Sequence, residues 1–106
     1  MNKISDRLKC LADHVLPGYT MADIGTDHGF LPIHLLAENV IPFAVMTDIN
    51  KGPLSKAKNN LDDTGIRSDL YSLRLGPGLA PLKKGEAATI VIAGMGGELI
   101  SQILTY

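Results

Sequence analysis

A chain of 106 residues, 45% hydrophobic and 20% charged, suits one domain with a buried core and has an ordinary globular composition. Its formal net charge of −1 gives no global pull toward nucleic acid, so any RNA contact has to use a local patch or a further segment. The single cysteine, Cys10, excludes an internal disulfide and brings no second thiol to the three histidines for a zinc set, so no metal site and a reducing, cytoplasmic setting are expected.

Residues 1–15 carry Lys3, Asp6, Arg7, Lys9, Asp13 and His14 among their apolar positions, which breaks up any signal-peptide core. Nowhere do the ~18 consecutive apolar residues of a membrane span occur, so neither secretion nor a membrane association is expected. Leu8, Leu11, Ala12 and Val15 recur at helical spacing, with Ser5 as N-cap and Pro17-Gly18 as the stop, which predicts a lead-in helix within residues 1–18. Residues 19–24 read as a first strand. Residues 30–39 read as a helix with Pro32 in its first turn, where a missing N–H costs little. Residues 43–47 form a short apolar run, the second strand, ending at Asp48.

Pro53 is placed to start the next helix, in which Leu54, Ala57 and Leu61 share a face, Lys51, Lys56 and Lys58 fall mostly on the exposed side, and Gly65 supplies a left-handed exit. Residues 70–75 read as a third strand, followed by the turn Gly76-Pro77-Gly78 and a loop through Pro81 and Gly85. Residues 89–93 are rich in β-branched side chains without polar alternation, as in a parallel strand covered on both faces. Gly94-Met95-Gly96-Gly97 is expected to lead into a last helix carrying Leu99, Ile100, Ile103 and Leu104.

Strands alternating with helices over short connections predict an α/β fold, a Rossmann-like doubly wound parallel sheet with right-handed crossovers, over residues 19–106. Such a sheet keeps its first strand near the middle, runs outward through the second and third, and returns to place the fourth on the other side. The fourth strand is then an edge, yet Ile90-Val91-Ile92 carries none of the charges or prolines that guard an exposed edge. Two expectations follow: the chain is the front portion of a longer fold, which is the first choice, or the edge pairs with another copy in a homo-oligomer.

The stretch Asp23-Ile24-Gly25-Thr26-Asp27-His28-Gly29 joins the first strand to its helix. An acid at a strand end followed by a glycine turn is how doubly wound domains receive an adenosine-bearing cofactor. Gly25 and Gly29 let main-chain N–H groups approach a ligand. The spacing is GxxxG, without the third glycine of a dinucleotide fingerprint, and Asp27 stands where a pyrophosphate would be repelled. The ammonium and sulfonium of S-adenosylmethionine would not be, which favours a methyl donor over NAD. Asp48, 23 residues after Gly25, lies near the ~20-residue offset at which a carboxylate accepts the ribose hydroxyls. His28 is a substrate contact or a polar surface group with no role; His14 and His34 read as structural or solvent-facing, and Cys10 as a small buried hydrophobe. Gly94, Gly96 and Gly97 fall at the carboxyl end of the fourth strand, where a bulky ligand can lie against the backbone or a flexible turn simply precedes a helix.

Together, the segments DIGTDHGFLPI, DINKGP, RLGPGL and TIVIAGMGGELI resemble the bacterial tRNA (adenine-N1)-methyltransferases that modify adenine 22, and the match spans nearly the whole chain. The resemblance implies a class I S-adenosylmethionine-dependent fold of seven strands followed by a helical, coiled-coil-like domain, of which this chain looks like the first four strands. It implies that Asp23, Gly25, Asp27 and Gly29 surround the methionine end of the cofactor, with Thr26 and His28 as further cofactor contacts. Asp48 would hold the ribose, and Ile49, Gly76, Pro77, Gly78, Ala93 and Gly94 would be further cofactor contacts. Asp27 would be the catalytic acid, and His28, Met95, Gly96 and Gly97 would face the target base. The third motif of that family usually reads Gly-Asp-Gly-Leu, and Pro77 here replaces an aspartate expected to accept from the adenine amino group.

Adenine N1 carries an in-plane lone pair, so methyl transfer needs alignment more than a base, and a carboxylate such as Asp27 would orient the amino group or stabilise the developing positive charge. The target base would be turned outward from folded tRNA to reach the pocket. Lys and Arg near the site would hold phosphates, with a C-terminal domain as the main RNA grip and the 106-residue chain alone inactive. Two other readings remain: a class I methyltransferase acting on a small molecule or protein, and a non-catalytic, truncated binding module. An NAD dehydrogenase fits the glycine pattern least.

Overall fold

The computed structural model describes residues 9, 12–26, 28–94 and 97–102, with residues 93, 94 and 97–102 described by their backbone. Four strands run parallel: β1 (Met21–Ile24), β2 (Ala44–Asp48), β3 (Tyr71–Leu75) and β4 (Thr89–Gly94); a fifth, β5 (Gly97–Gln102), is antiparallel to β4. Their order is β3-β2-β1-β4-β5, the doubly wound arrangement expected for the first four. Helices α1 (Phe30–Ala37) and α2 (Lys51–Thr64) supply the first two crossovers, and a short 3-10 turn, Ser68–Leu70, precedes β3.

The strands read as near-continuous apolar runs because both faces are covered. On one face Met21, Met46 and Val91 pack with Leu35, Leu36, Ala57 and Leu61 of the two helices; on the other Ala22, Val45 and Ile90 pack with Ala87 and Leu82. Leu61 and Ala57 are fully buried, and Lys51, Lys56 and Lys58 are exposed, as their spacing on α2 predicts. Gly65 ends α2 in the left-handed region at φ 78°. The connection from β3 to β4 holds no helix, so residues such as Leu82 and Ala87 cover the second face directly.

Several boundaries differ from the sequence expectation. β1 starts at Met21, leaving Tyr19 61% exposed, and α2 begins at Lys51, two residues before Pro53. Leu70 belongs to the 3-10 turn rather than to β3. Of the lead-in helix, Lys9, Ala12 and Asp13 are helical and Val15 is buried in the core, while Cys10 and residues 1–8 lie outside the described residues.

The larger correction concerns the C-terminal end. Residues 97–102, expected to be helical, form β5, with Gly94 opposite Gly97 and Thr89 opposite Gln102. β4 is therefore not the sheet edge: its second row of backbone groups pairs within the chain instead of with another copy. An unprotected, apolar β4 edge offers a ladder of N–H and C=O partners, and a short apolar segment is compatible with either strand or helix until such a partner decides. Ile103 and Leu104 lie outside the described residues.

Candidate functional site

Parallel pairing sets the carboxyl ends of β1 to β4 along one side of the sheet. Ile24 lies opposite both Thr47 and Ile92, and Asp48 opposite Leu75, so Gly25, Asp48 and Ala93 fall at one level. The turn after β1 is built by its own backbone: the N–H groups of Gly25 and Thr26 both donate to the Thr47 carbonyl, at 2.9 and 3.0 Å. Thr26 donates its hydroxyl to Asp23 Oδ2 at 2.8 Å, so one oxygen of that buried carboxylate is engaged in holding the turn. Gly25 and Gly29 adopt φ 73° and 74°, which side chains rarely tolerate. Gly29 has a second constraint: a Cβ there would lie 3.1 Å from Ala57 Cβ and 3.5 Å from Met46 Sδ.

Asp48 ends β2 and is only 8% exposed. Its Oδ1 accepts the Asn50 N–H at 2.9 Å, and among the described residues its Oδ2 has no hydrogen-bond partner. Oδ2 is not among the atoms shut away from solvent without a partner, so it stays within reach of a further donor such as a ligand hydroxyl. Among the described residues the Thr47 hydroxyl is the buried side-chain polar atom without a partner. Around the tips of β2 and β3 three large apolar side chains stay in solvent, Ile49 (67%), Leu75 (52%) and Leu79 (42%). A nucleobase ring would find apolar cover there, one residue from the Asp48 carboxylate. These features fit a nucleoside: paired hydroxyls for Asp48 and an aromatic ring for the apolar rim.

Both helices open onto this side of the sheet with unfilled ends. Neither Gly29 nor Asn50 makes a side-chain cap, no acidic residue occupies either first turn, and the third position of each helix is proline, Pro32 and Pro53. The prolines contribute no donor, so such a start presents the N–H groups of its first two residues and the positive end of its dipole to an anionic ligand group. His28 stacks on the ring of Phe30 with centroids 5.1 Å apart, and Asn60 of α2 donates to the His28 carbonyl at 2.8 Å, fixing the turn. Phe30 is 54% exposed at the start of α1.

After β3 the chain turns back at once. The Gly76 N–H donates to the Asp48 carbonyl at 2.9 Å, and a Cβ on Gly76 would come within 2.7 Å of Pro81 Cγ. Pro77 is exposed and Gly78 has φ 50°. Arg74 reaches back over this loop, donating through Nη1 and Nη2 to the two Glu86 carboxylate oxygens at 2.6 Å each, and through Nη1 to the Pro81 carbonyl at 2.9 Å. That guanidinium holds the Glu86 carboxyl down from 4.5 to about 2.

The structure thus brings Asp23, Gly25, Thr26, His28, Gly29, Asp48, Ile49, Gly76, Pro77, Gly78, Ala93 and Gly94 to the carboxyl side of the parallel strands. Gly97 starts β5 rather than a helix. Asp27, Met95 and Gly96 lie outside the described residues. Sequence reasoning missed Phe30, Asn60, Arg74 and Glu86, whose partners are brought together by the fold; the aromatic beside His28 was the one visible signal. Among the described residues no cluster of three His, Cys, Asp or Glu could hold a metal ion, and no helix is long and apolar enough to cross a membrane.

An acid at the β2 tip, a left-handed glycine turn after β1 and the 3-2-1-4 strand order define a Rossmann-like fold of the methyltransferase type. Comparison with known proteins agrees: the family described as a methyltransferase domain matches residues 4–106. The chain belongs to that family. It is 43% identical over 102 residues to the tRNA (adenine(22)-N(1))-methyltransferase of Bacillus subtilis, covering 96% of this chain and 42% of that protein. The crystal structure of the B. subtilis tRNA methyltransferase TrmK superposes with a TM-score of 0.80 and 40% identity, over 88% of this chain and 39% of that one. M. capricolum TrmK in complex with the cofactor product S-adenosyl-homocysteine gives a TM-score of 0.76 and 33% identity, over 88% of this chain and 42% of that one. The motif resemblance read from the sequence is thus borne out. The chain spans less than half the length of the curated relatives it matches.

Proposed function

We propose that residues 1–106 form the S-adenosylmethionine-binding portion of a cytoplasmic tRNA methyltransferase that acts on N1 of an adenine, position 22 by likeness to its relatives. The observation that carries the reading is Asp48, a carboxylate at the tip of β2 whose Oδ1 takes the Asn50 N–H and whose Oδ2 remains open to a ligand donor. Ribose hydroxyls satisfy it, and Ile49, Leu75 and Leu79 give a purine ring an apolar bed. The name of the B. subtilis relative and the product bound to M. capricolum TrmK support the same choice of substrate and cofactor.

The bound cofactor would supply an electrophilic sulfonium methyl. The chain's part is to hold and align it. Gly25 and Gly29 keep side chains out of the turn, and the uncapped starts of α1 and α2 attract the carboxylate of the amino-acid end. Adenine N1 attacks with its own lone pair, so rate depends on holding the base in line, for which the stacked His28–Phe30 pair offers an aromatic face. Asp27 is the proposed catalytic carboxylate, orienting the exocyclic amine or stabilising the cationic ring. Met95, Gly96 and Gly97 are proposed as further substrate contacts.

Two measurements test this. Calorimetry should register S-adenosylmethionine and S-adenosylhomocysteine binding to this chain, weakened roughly tenfold to a hundredfold by Asp48→Ala through loss of charge-assisted hydrogen bonds. A version extended to the length of the curated relatives, given labelled methyl donor and unmodified tRNA, should yield 1-methyladenosine, and Asp27→Ala should lower turnover at saturating cofactor well beyond any loss of cofactor affinity. Label appearing only in protein or small molecules would replace tRNA as the substrate.

A further inference from the structure

We propose that Arg74 and Glu86 are positioning residues for the nucleoside subsite, clamping the loop after β3 so that residues 76–79 meet the cofactor's base; this rests on the cofactor reading above. Three observations carry it. Gly76 is tied to the tip of β2 through the Asp48 carbonyl, so the first residue of the loop is fixed directly beside the proposed ribose ligand. Pro81 packs so closely on Gly76 that a Cβ would sit 2.7 Å from its ring, so displacement of Pro81 is transmitted to Gly76. Pro81 is in turn held by Arg74, whose Nη1 donates to the Pro81 carbonyl at 2.9 Å while the guanidinium grips Glu86 through both oxygens.

The clamp is over-determined at each end. Arg74 Nε donates to Ser72 Oγ at 3.0 Å, keeping the side chain along its own strand, and Glu86 Oε1 also accepts the Lys83 N–H at 2.9 Å. Both side chains are more than three-quarters removed from solvent, at 24% and 21% exposure, where a two-pronged guanidinium–carboxylate pair has definite geometry. The connection it restrains has no helix, and Gly78 within it sits at φ 50°. Residue 77 is proline, so its side chain offers the base no hydrogen bond. Recognition on this side therefore falls to loop backbone and apolar contact, both of which depend on where the loop is held. A loop that must be ordered on binding lowers affinity by the entropy of ordering it.

The test is S-adenosylhomocysteine binding by calorimetry to this chain and to its Arg74→Lys and Glu86→Gln variants, at a temperature where circular dichroism finds all of them fully folded. Each variant should bind roughly tenfold more weakly, and the double variant no more weakly than either single one, because all remove the same link. Amide exchange in residues 76–86 should quicken in the unliganded variants. A purely structural pair would lower the melting temperature yet leave affinity unchanged in fully folded protein. Wild-type affinity in folded variants overturns the positioning role alone, and so does a variant that cannot fold at any temperature. No binding by the wild-type chain overturns the cofactor reading and this inference with it.

Discussion

Gly29 meets two demands at once. Its φ of 74° strains any residue with a side chain, and a Cβ there would crowd Ala57 Cβ at 3.1 Å. Gly29→Ala should therefore destabilise the fold by about 1–3 kcal/mol through left-handed strain, with the 3.1 Å contact adding to it. Urea unfolding checks this, and an unchanged midpoint would show that α1 can shift away from α2 without cost. Pro77 is the opposite case, an exposed residue in a turn, and Pro77→Asp should fold normally. If the base lies against this loop, the added carboxylate gives its amino group an acceptor and affinity for S-adenosylhomocysteine should rise up to roughly tenfold. Calorimetry on the two proteins decides, and equal affinities would put the base elsewhere.

At the level of elements, the connection between β3 and β4 takes the place of a helix on the second face of the sheet. Its Arg74–Glu86 pair carries an acid signature. The folded-state carboxyl of Glu86 lies near 2 rather than 4.5, so its stabilisation is complete above the unfolded value and is lost as pH falls from about 4.5 toward 2. Acid unfolding of Glu86→Gln should accordingly show a shallower loss of stability across that window than wild type, measured by denaturant midpoints at successive pH values. Identical slopes would mean that the pair is absent in solution. The pair was not legible in the sequence, since Arg74 and Glu86 stand 12 residues apart with nothing periodic between them. Asp23 and Asp48 were legible because each closes an apolar run before a turn, and strand ends are where such folds put chemistry. β5 was misread because Leu99, Ile100, Ile103 and Leu104 suit a helical stripe. The pairing between β4 and β5 depends on a vacancy across the sheet that local spacing does not encode.

For the molecule as a whole, β5 closes the row of hydrogen bonds left open by four parallel strands. Removing residues 97–106 should expose β4, whose Ile90, Val91 and Ile92 carry no protective charge, and make the protein associate in a concentration-dependent way. Sedimentation velocity tests this, and a monomer at all concentrations would mean that β4 needs no cover. The two helices that begin unfinished beside the strand tips have a different consequence. A guest whose carboxylate supplied what Gly29 or Asn50 does not would complete a helix start, and by linkage it would favour the folded state increasingly as its free concentration rose. Resistance to proteases would then become a gauge of guest supply, with the empty protein the form most quickly destroyed.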